Sequence, residues 1–181
     1  LDVRVLERLR ANEADMAFFP ATELPPDFHS LRIYRSKKGI LVRDGHPVIE
    51  AYEKAGVMTW ELLNRWPAVC VTAGMKDGGA KSVEGRRVGV VLPYFLTVPY
   101  VVARTDFTFE GPLITLRRFM MDSQFQFRIL PMPEESGPFE PRLVWHHCSH
   151  TDPFLQWVRG LVVDAARSEA RLLGVIDTSE E

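Results

Sequence analysis

The sequence has little of the features that mark several classes of protein. Its two cysteines, Cys70 and Cys148, are too few for a disulfide framework, and both lie in apolar runs that predict buried thiols in a reducing compartment. The net charge of −2 leaves no positive excess to attract phosphates, so the 181 residues alone are a poor candidate for binding nucleic acid. No apolar run is as long as the roughly 18 residues that a membrane helix needs. The first residues do not have the basic and then apolar pattern of a secretory signal. We therefore predict a cytoplasmic globular protein that binds no membrane.

The motifs of common enzyme classes are also missing from the sequence. It contains no Walker loop, dinucleotide fingerprint, G-x-S-x-G elbow or H-E-x-x-H pair. The segment MKDGGAKS at residues 75–82 is only superficially similar to a phosphate loop, because it lacks the G-K-[ST] ending at the right spacing. Asp15 is a single acid without a partner and is interpreted as a turn residue. We predict no enzymatic activity and no cofactor.

Reactive side chains are concentrated in one segment, LVWHHCSHTDPFLQWVRG, at residues 143–160. His146 and His150 have the spacing of a helical metal pair, but they precede the predicted helix instead of lying in it. Cys148 could act as a nucleophile beside a histidine, but the adjacent His147 points to the opposite face of a strand. We predict no metal and no catalytic thiol here. A metal-dependent hydrolase built on the three histidines remains an alternative.

The same segment is better explained as the join between a strand at residues 142–148 and a long helix from Pro153 to about Leu173. Asp152 is a favoured N-cap residue, and proline is favoured at the first helical position. Apolar side chains recur in this helix at spacings of three and four, which predicts one apolar face. The residues of that predicted face are Phe154, Val158, Leu161, Val162 and Ala165.

The N-terminal part alternates predicted strands and turns. Residues 1–6 alternate apolar and charged side chains, which predicts a half-buried strand followed by a helical turn at Leu9. Residues 14–20 form an apolar run that predicts a buried strand, and residues 31–36 and 38–47 predict two more. This alternation is typical of a parallel α/β sheet.

A second unit follows Pro47. Its predicted elements are a helix capped by Thr59, a strand at 68–74, a loop at 75–85, a strand at 86–93, a helix at 94–103 kinked by Pro99, a short strand before Pro112, a helix at 112–121 and a strand at 125–133. We therefore predict two α/β lobes. Residues 1–47 and 133–181 form the first lobe, and residues 48–132 form the second.

Several segments, taken in order, resemble the effector-binding domain of LysR-type transcriptional regulators, and the resemblance covers nearly the whole chain. The segments are EADMAFF at 13–19, ILVRDGHPV at 40–48, MTWELLNRWPAV at 58–69, VLPYFLTVPYVVARTD at 91–106, LPMP at 130–133 and LVWHHCSHTDPFLQWVR at 143–159. Each segment alone is weak, whereas their order and spacing together are specific.

The resemblance implies a fold similar to type 2 periplasmic binding proteins, with two Rossmann-like lobes joined by two crossover strands. It implies that the first strand and helix of the first lobe, and an upstream DNA-binding winged helix-turn-helix, are missing from this chain. It further implies a homodimer or homotetramer on DNA and a small-molecule effector in the cleft between the lobes, and the sequence looks most like the branch that senses aromatic compounds.

Carried over position by position, the resemblance implies that effector-binding residues lie at the ends of strands and in the adjoining turns. They are Phe19, Pro20, Thr22, Thr72, Gly74, Pro93, Tyr94, Phe95, Thr105, Asp106, Trp145 and His146. A periplasmic solute-binding protein of a transporter shares this fold and is the alternative function. That alternative predicts a secretory signal upstream of Leu1.

Overall fold

A computed structural model describes residues 3–19, 23–72 and 85–176. The helices are α1 (Val3–Arg10), α2 (Pro47–Ala55), α3 (Trp60–Leu63), α4 (Val98–Val102), α5 (Leu113–Asp122) and α6 (Pro153–Leu172). The strands are β1 (Ala17–Phe19), β2 (Phe28–Arg32), β3 (Lys38–Arg43), β4 (Ala68–Val71), β5 (Val88–Leu92), β6 (Phe109–Pro112), β7 (Phe127–Pro131) and β8 (Arg142–His146). Within these described ranges, no helix is long and apolar enough to cross a membrane.

The chain forms two compact units. The first consists of Leu1–Ser36 with Pro138–Glu181, and the second of Lys37–Gly137. The lobes predicted from the sequence divide at residues 47 and 133 instead. Strand β3 therefore falls in the second unit and not with the first, because its backbone pairs with β6 and β7 of that unit.

The first unit begins with a helix where the sequence predicted a strand. In α1 the apolar residues Leu6 and Leu9 are three positions apart and so lie on one helical face. Both are buried, and they pack with Phe28 of β2 and Val144 of β8. The prediction of a strand over residues 1–6 was wrong. The first residues alternate apolar and charged side chains as a strand does, but Leu6 and Leu9 have the spacing of a helix.

The sheet of the first unit is antiparallel, with the order β1, β8, β2. Ala17 of β1 lies opposite Val144, and Phe28 of β2 lies opposite His146. The parallel sheet that we predicted for this region is not formed by these strands. The reason is that β8, which comes last in the chain, lies between β1 and β2 and runs against both.

Helix α6 begins where the sequence predicted, but it buries a different face. The Asp152 side chain caps it by accepting a hydrogen bond from the backbone N–H of Leu155 at 2.9 Å. Phe154 and Leu161, assigned to the apolar face, are exposed, whereas Arg159 and Val163 are buried. The Arg159 guanidinium occupies the inward face because it donates to the carbonyl oxygens of residues 149 and 150.

The second unit contains an antiparallel sheet, ordered β6, β3, β7, and a parallel pair formed by β4 and β5. Ile40, Leu41 and Val42 of the central strand β3 are completely buried. Leu41 belongs to one apolar cluster, whose members include Val98, while Ile40 and Val42 belong to another, whose members include Val48. Strand β3 thus has a separate core on each face.

Helix α2 was missed by the sequence analysis, although its ends are well marked. The buried His46 accepts a hydrogen bond from the Val48 N–H through Nδ1 at 3.0 Å, and Pro47 is the first helical residue. Gly56 ends the helix in the left-handed conformation, with φ of 71°. Histidine is not a usual N-cap residue, so the sequence did not predict the start of this helix.

Candidate functional site

The predicted ligand-binding residues of the second unit lie at the carboxyl ends of its two parallel strands. Thr72 follows β4, and Pro93 follows β5. The backbone N–H of Thr72 donates to the Leu92 carbonyl oxygen at 3.0 Å, which brings the two strand ends together. In open α/β sheets this edge is where ligands bind. The structure therefore brings Thr72 and residues 93–95 to one edge, and their predicted contact with an effector stays a prediction.

Two aromatic residues emerge at this edge, and they are held differently. The Tyr94 side chain is exposed over 69% of its surface, whereas the value for Phe95 is 42%. The Phe95 ring packs edge-to-face against the buried Phe109, with centroids 6.2 Å apart. The Thr97 hydroxyl donates to the Tyr94 carbonyl oxygen at 2.7 Å and fixes the start of a short 3-10 turn. The Tyr94 phenol at the start of this turn is largely exposed to solvent.

The polar turn after α4 is stabilised by bonds within the second unit. The Arg43 guanidinium donates to one carboxylate oxygen of Asp106 through both Nε, at 3.1 Å, and a terminal nitrogen, at 2.7 Å. The Thr105 hydroxyl donates to the Val101 carbonyl oxygen and accepts from the Phe107 N–H. Asp106 and Thr105 therefore have intramolecular partners, and their predicted contact with an effector stays a prediction.

Trp145, predicted to contact an effector, is enclosed within the first unit. Only 8% of its surface is exposed, and the Arg159 guanidinium lies 4.7 Å from the centre of its ring. The indole N–H donates to Nδ1 of His150 at 3.2 Å. This residue therefore packs as a core aromatic with a satisfied polar group.

Three histidines of the first unit form a stacked group that the sequence did not reveal. His29 lies 3.0 Å, Nε2 to Nδ1, from His147 and stacks on His150 with ring centres 3.9 Å apart. Desolvation lowers the pKa of His29, and the nearby His150, His147 and Arg159 lower it further. Across the described ranges, no three histidine, cysteine or acidic residues are arranged to hold a metal ion.

Cys148, in the histidine-rich segment at residues 143–160, is exposed, contrary to the prediction of a buried thiol. Strand β8 ends at His146, so Cys148 falls in the following 3-10 turn and leaves the sheet. Its Sγ lies 3.0 Å from Nδ1 of His146 and donates to Oδ1 of Asn12 at 3.0 Å. The other thiol, Cys70, is buried as predicted, and burial raises its pKa.

The remaining predicted residues are placed only in part. Phe19 is the last residue of β1. Pro20, Thr22 and Gly74 lie outside the described residues, as does the glycine-rich segment at 75–82. Their predicted roles stay predictions.

Comparison with known proteins identifies a family. The family model of the LysR substrate binding domain matches residues 2–167. The HTH-type transcriptional regulator SyrM 1 of Sinorhizobium fredii (strain NBRC 101917 / NGR234) is 27% identical over 169 residues, which cover 89% of this chain and 48% of that protein. The chain thus spans about half the length of this relative.

Solved structures show the same fold. The regulatory domain of MexT, a transcriptional activator of Pseudomonas aeruginosa, matches with a TM-score of 0.66 and 22% identity, over 87% of this chain and 77% of that one. The effector-binding domain of QuiR, solved in complex with shikimate, matches with a TM-score of 0.66 and 11% identity, over 92% of this chain and 78% of that one. The predicted type 2 periplasmic-binding-protein-like fold is confirmed.

Proposed function

The chain belongs to the LysR substrate-binding domain family, and from this premise we propose that it senses a small-molecule effector for a DNA-binding transcriptional regulator. The relatives are transcriptional regulators. In our proposal the chain performs no catalysis, and a separate part of the regulator contacts DNA. Binding of the effector shifts the conformational equilibrium of a dimer or tetramer and so alters how its DNA-binding parts are held.

The observation that carries the proposal is the exposed Tyr94 at the joined carboxyl ends of β4 and β5. A tyrosine exposed over 69% of its surface leaves a large apolar ring in water, which favours a ligand that covers it. The Tyr94 carbonyl oxygen accepts a hydrogen bond from the Thr97 hydroxyl, so the backbone of this turn should lose little conformational freedom on binding. The hydroxyl of Thr72 lies at the same edge, where it donates to the Leu92 carbonyl oxygen at 3.5 Å and keeps lone pairs that can accept from a ligand.

The ligand class that we propose is a small ring-containing acid. The aromatic effector predicted from the sequence fits an exposed phenol, because aromatic faces attract planar or ring-shaped partners. QuiR, a protein of the same fold, was solved with shikimate, which is a cyclic carboxylic acid. We therefore propose the set benzoate, 4-hydroxybenzoate and shikimate as the first probes.

Thermal unfolding tests the proposal directly. A ligand present at 100 times its dissociation constant stabilises the folded state by about 2.7 kcal/mol. For a chain of this length the shift in Tm is then roughly 5–11 °C. We expect at least one ring-containing acid to raise Tm in a concentration-dependent way, and an acyclic acid such as acetate to have no effect.

The variant Tyr94→Ala locates the binding site. It removes the exposed ring, and we expect the ligand-induced shift in Tm to fall by at least half, while Tm without ligand hardly changes. Phe154→Ala is the matched control, because Phe154 is an aromatic residue of similar exposure, 66%, in the other unit. An undiminished shift in the tyrosine variant, or an equal loss in both variants, would contradict the proposed site.

A further inference from the structure

Cys148 lies among side chains that come from separate elements of the first unit. His146 ends β8, Asn12 follows α1, and Asp27 precedes β2. The cysteine sulfur is 3.0 Å from Nδ1 of His146, and Nε2 of the same ring is 3.4 Å from Oδ2 of Asp27. A nucleophile within reach of a base that is oriented by a third group is the arrangement of activated thiol and hydroxyl sites.

The hydrogen bonds define which nitrogen of His146 carries a proton. The backbone N–H of Cys148 is directed at Nδ1 at 3.4 Å, so Nδ1 is the acceptor. The proton of the neutral ring then resides on Nε2, which faces the Asp27 carboxylate. The lone pair of Nδ1 that accepts this N–H also lies beside the sulfur. The thiol hydrogen, which is donated to Oδ1 of Asn12 at 3.0 Å, can therefore turn to Nδ1 in this tautomer.

The carboxylate behind the imidazole is kept charged. Arg10 donates to both oxygens of Asp27, through Nε at 2.6 Å and through a terminal nitrogen at 3.0 Å. This pair lowers the pKa of Asp27 to about 2, so the group is ionised at neutral pH. A negative charge at this position stabilises the imidazolium that forms when His146 accepts a proton.

We propose that Cys148 and His146 form a nucleophilic thiol site that adds to soft electrophiles of the α,β-unsaturated carbonyl class. The thiol proton passes to Nδ1 of His146, and the sulfur forms a bond to the β-carbon of the electrophile. The electron pair of the carbon–carbon double bond moves towards the carbonyl group as an enolate. The α-carbon then takes the proton back from the imidazolium, so the thioether and a neutral ring are the products.

This site differs in residues and chemistry from the effector site proposed at Tyr94 and Thr72, although His146 is also among the effector-binding residues that the resemblance implies. Tyr94 and Thr72 belong to the second unit, whereas every residue of the thiol site belongs to the first. The inference therefore does not rest on the proposed function, and either can fail alone. Cys70 serves as an internal reference, because it is a buried thiol in the same molecule.

The first experiment needs no variant. The folded protein and the protein in 8 M urea are treated with N-ethylmaleimide at pH 7, and peptide mass spectrometry measures the rate at each cysteine. General-base assistance commonly contributes about 10²–10⁴-fold, so we expect Cys148 to react at least about tenfold faster in the folded state than in urea. Equal or slower reaction in the folded state would overturn the proposal, since exposure alone cannot accelerate a thiol.

The second experiment removes the base. We expect His146→Gln to lower the folded-state rate at Cys148 about tenfold or more. His147→Gln is the control, because His147 contacts His29 and not the sulfur, and its rate should equal that of the unaltered protein. Thermal unfolding verifies that both variants fold. A His146 variant that reacts at the original rate, or an equal loss in both variants, would refute the site.

Discussion

Arg86 is the best place to test how the second unit is held together. Its side chain is 1% exposed and pairs with Glu110, which is 12% exposed, at 2.5 Å. The remaining guanidinium nitrogens donate to Oδ1 of Asn64 and to the hydroxyl of the fully buried Thr108, each at 2.7 Å. One side chain thus satisfies groups at the end of α3, in β6 and in the segment before it.

The variant Arg86→Met removes all of these bonds at once. Breaking a buried ion pair from one side typically costs about 3–5 kcal/mol, because the other charge is left without compensation. Domains are stable by only about 5–15 kcal/mol, so the loss is a large share of the total. The double variant Arg86→Met/Glu110→Leu removes the stranded carboxylate, and we expect it to be about 0.5–3 kcal/mol more stable than the sum of the single changes.

Urea unfolding measures these differences, with tryptophan fluorescence as the signal. Trp60 and Trp66 lie in the second unit and report on its unfolding. Lys54→Gln is the surface control, because the Lys54–Glu50 pair is largely exposed, and we expect no measurable change. A cost below about 1 kcal/mol for the arginine variant, or strictly additive costs in the double variant, would refute the reasoning.

Two further predictions concern packing and protonation. Gly39→Ala places a Cβ 2.8 Å from Cγ2 of Ile129 and should lower the free energy of unfolding by about 1–3 kcal/mol, whereas Gly160→Ala meets nothing within 4 Å in α6 and should raise it by about 0.5–1 kcal/mol. Equal effects of the two changes in urea unfolding would contradict this. Burial lowers the pKa of His29, so the unfolded chain takes up this proton first as the pH falls below about 6.5, and stability falls from there down to the lowered pKa. We expect His29→Gln to flatten the slope of unfolding free energy against pH between pH 7.5 and 5, and an unchanged slope would show that His29 does not contribute.

The sequence predicted the helices that begin with a favoured capping side chain. Thr59 caps α3 by accepting from the Leu62 N–H at 3.1 Å, and Asp152 caps α6 in the same way. These bonds join residues three apart, so the sequence contains everything needed to expect them. Pro99 was expected to kink a helix, but it lies in the first turn of α4, where proline is tolerated.

Contacts between distant parts of the chain could not be predicted. The Arg43–Asp106 pair joins residues 63 positions apart, and the His29–His147 contact joins residues 118 positions apart. Whether two strands pair parallel or antiparallel could not be predicted either, because it depends on which strands become neighbours in the fold. Alternation of strand and helix therefore predicted the α/β class correctly and the pairing within the first sheet wrongly.

The positions of the predicted effector-binding residues depend on both local and distant contacts. Thr72 and Tyr94 could be placed from sequence because they follow strands, and parallel strands end at one edge. Trp145 also belongs to a strand, but it is buried because Arg159 of α6 covers its ring. Arginine is usually exposed, so the sequence did not predict that Arg159 would be buried. Strand alternation excluded His147 as a base for Cys148. The turn after β8 instead brings Nδ1 of His146 to the sulfur.

The two cores on either face of β3 constrain how this sequence can change during evolution. Ile40 and Val42 face one apolar cluster and Leu41 faces the other, so every position in the run is committed to a side. Exchanges among aliphatic residues of similar volume preserve both packings. Insertion or deletion of a single residue would turn the side chains beyond that point to the opposite face of the sheet, where each would meet the wrong cluster. We therefore expect length variation in descendants of this protein to accumulate in its loops and to spare β3.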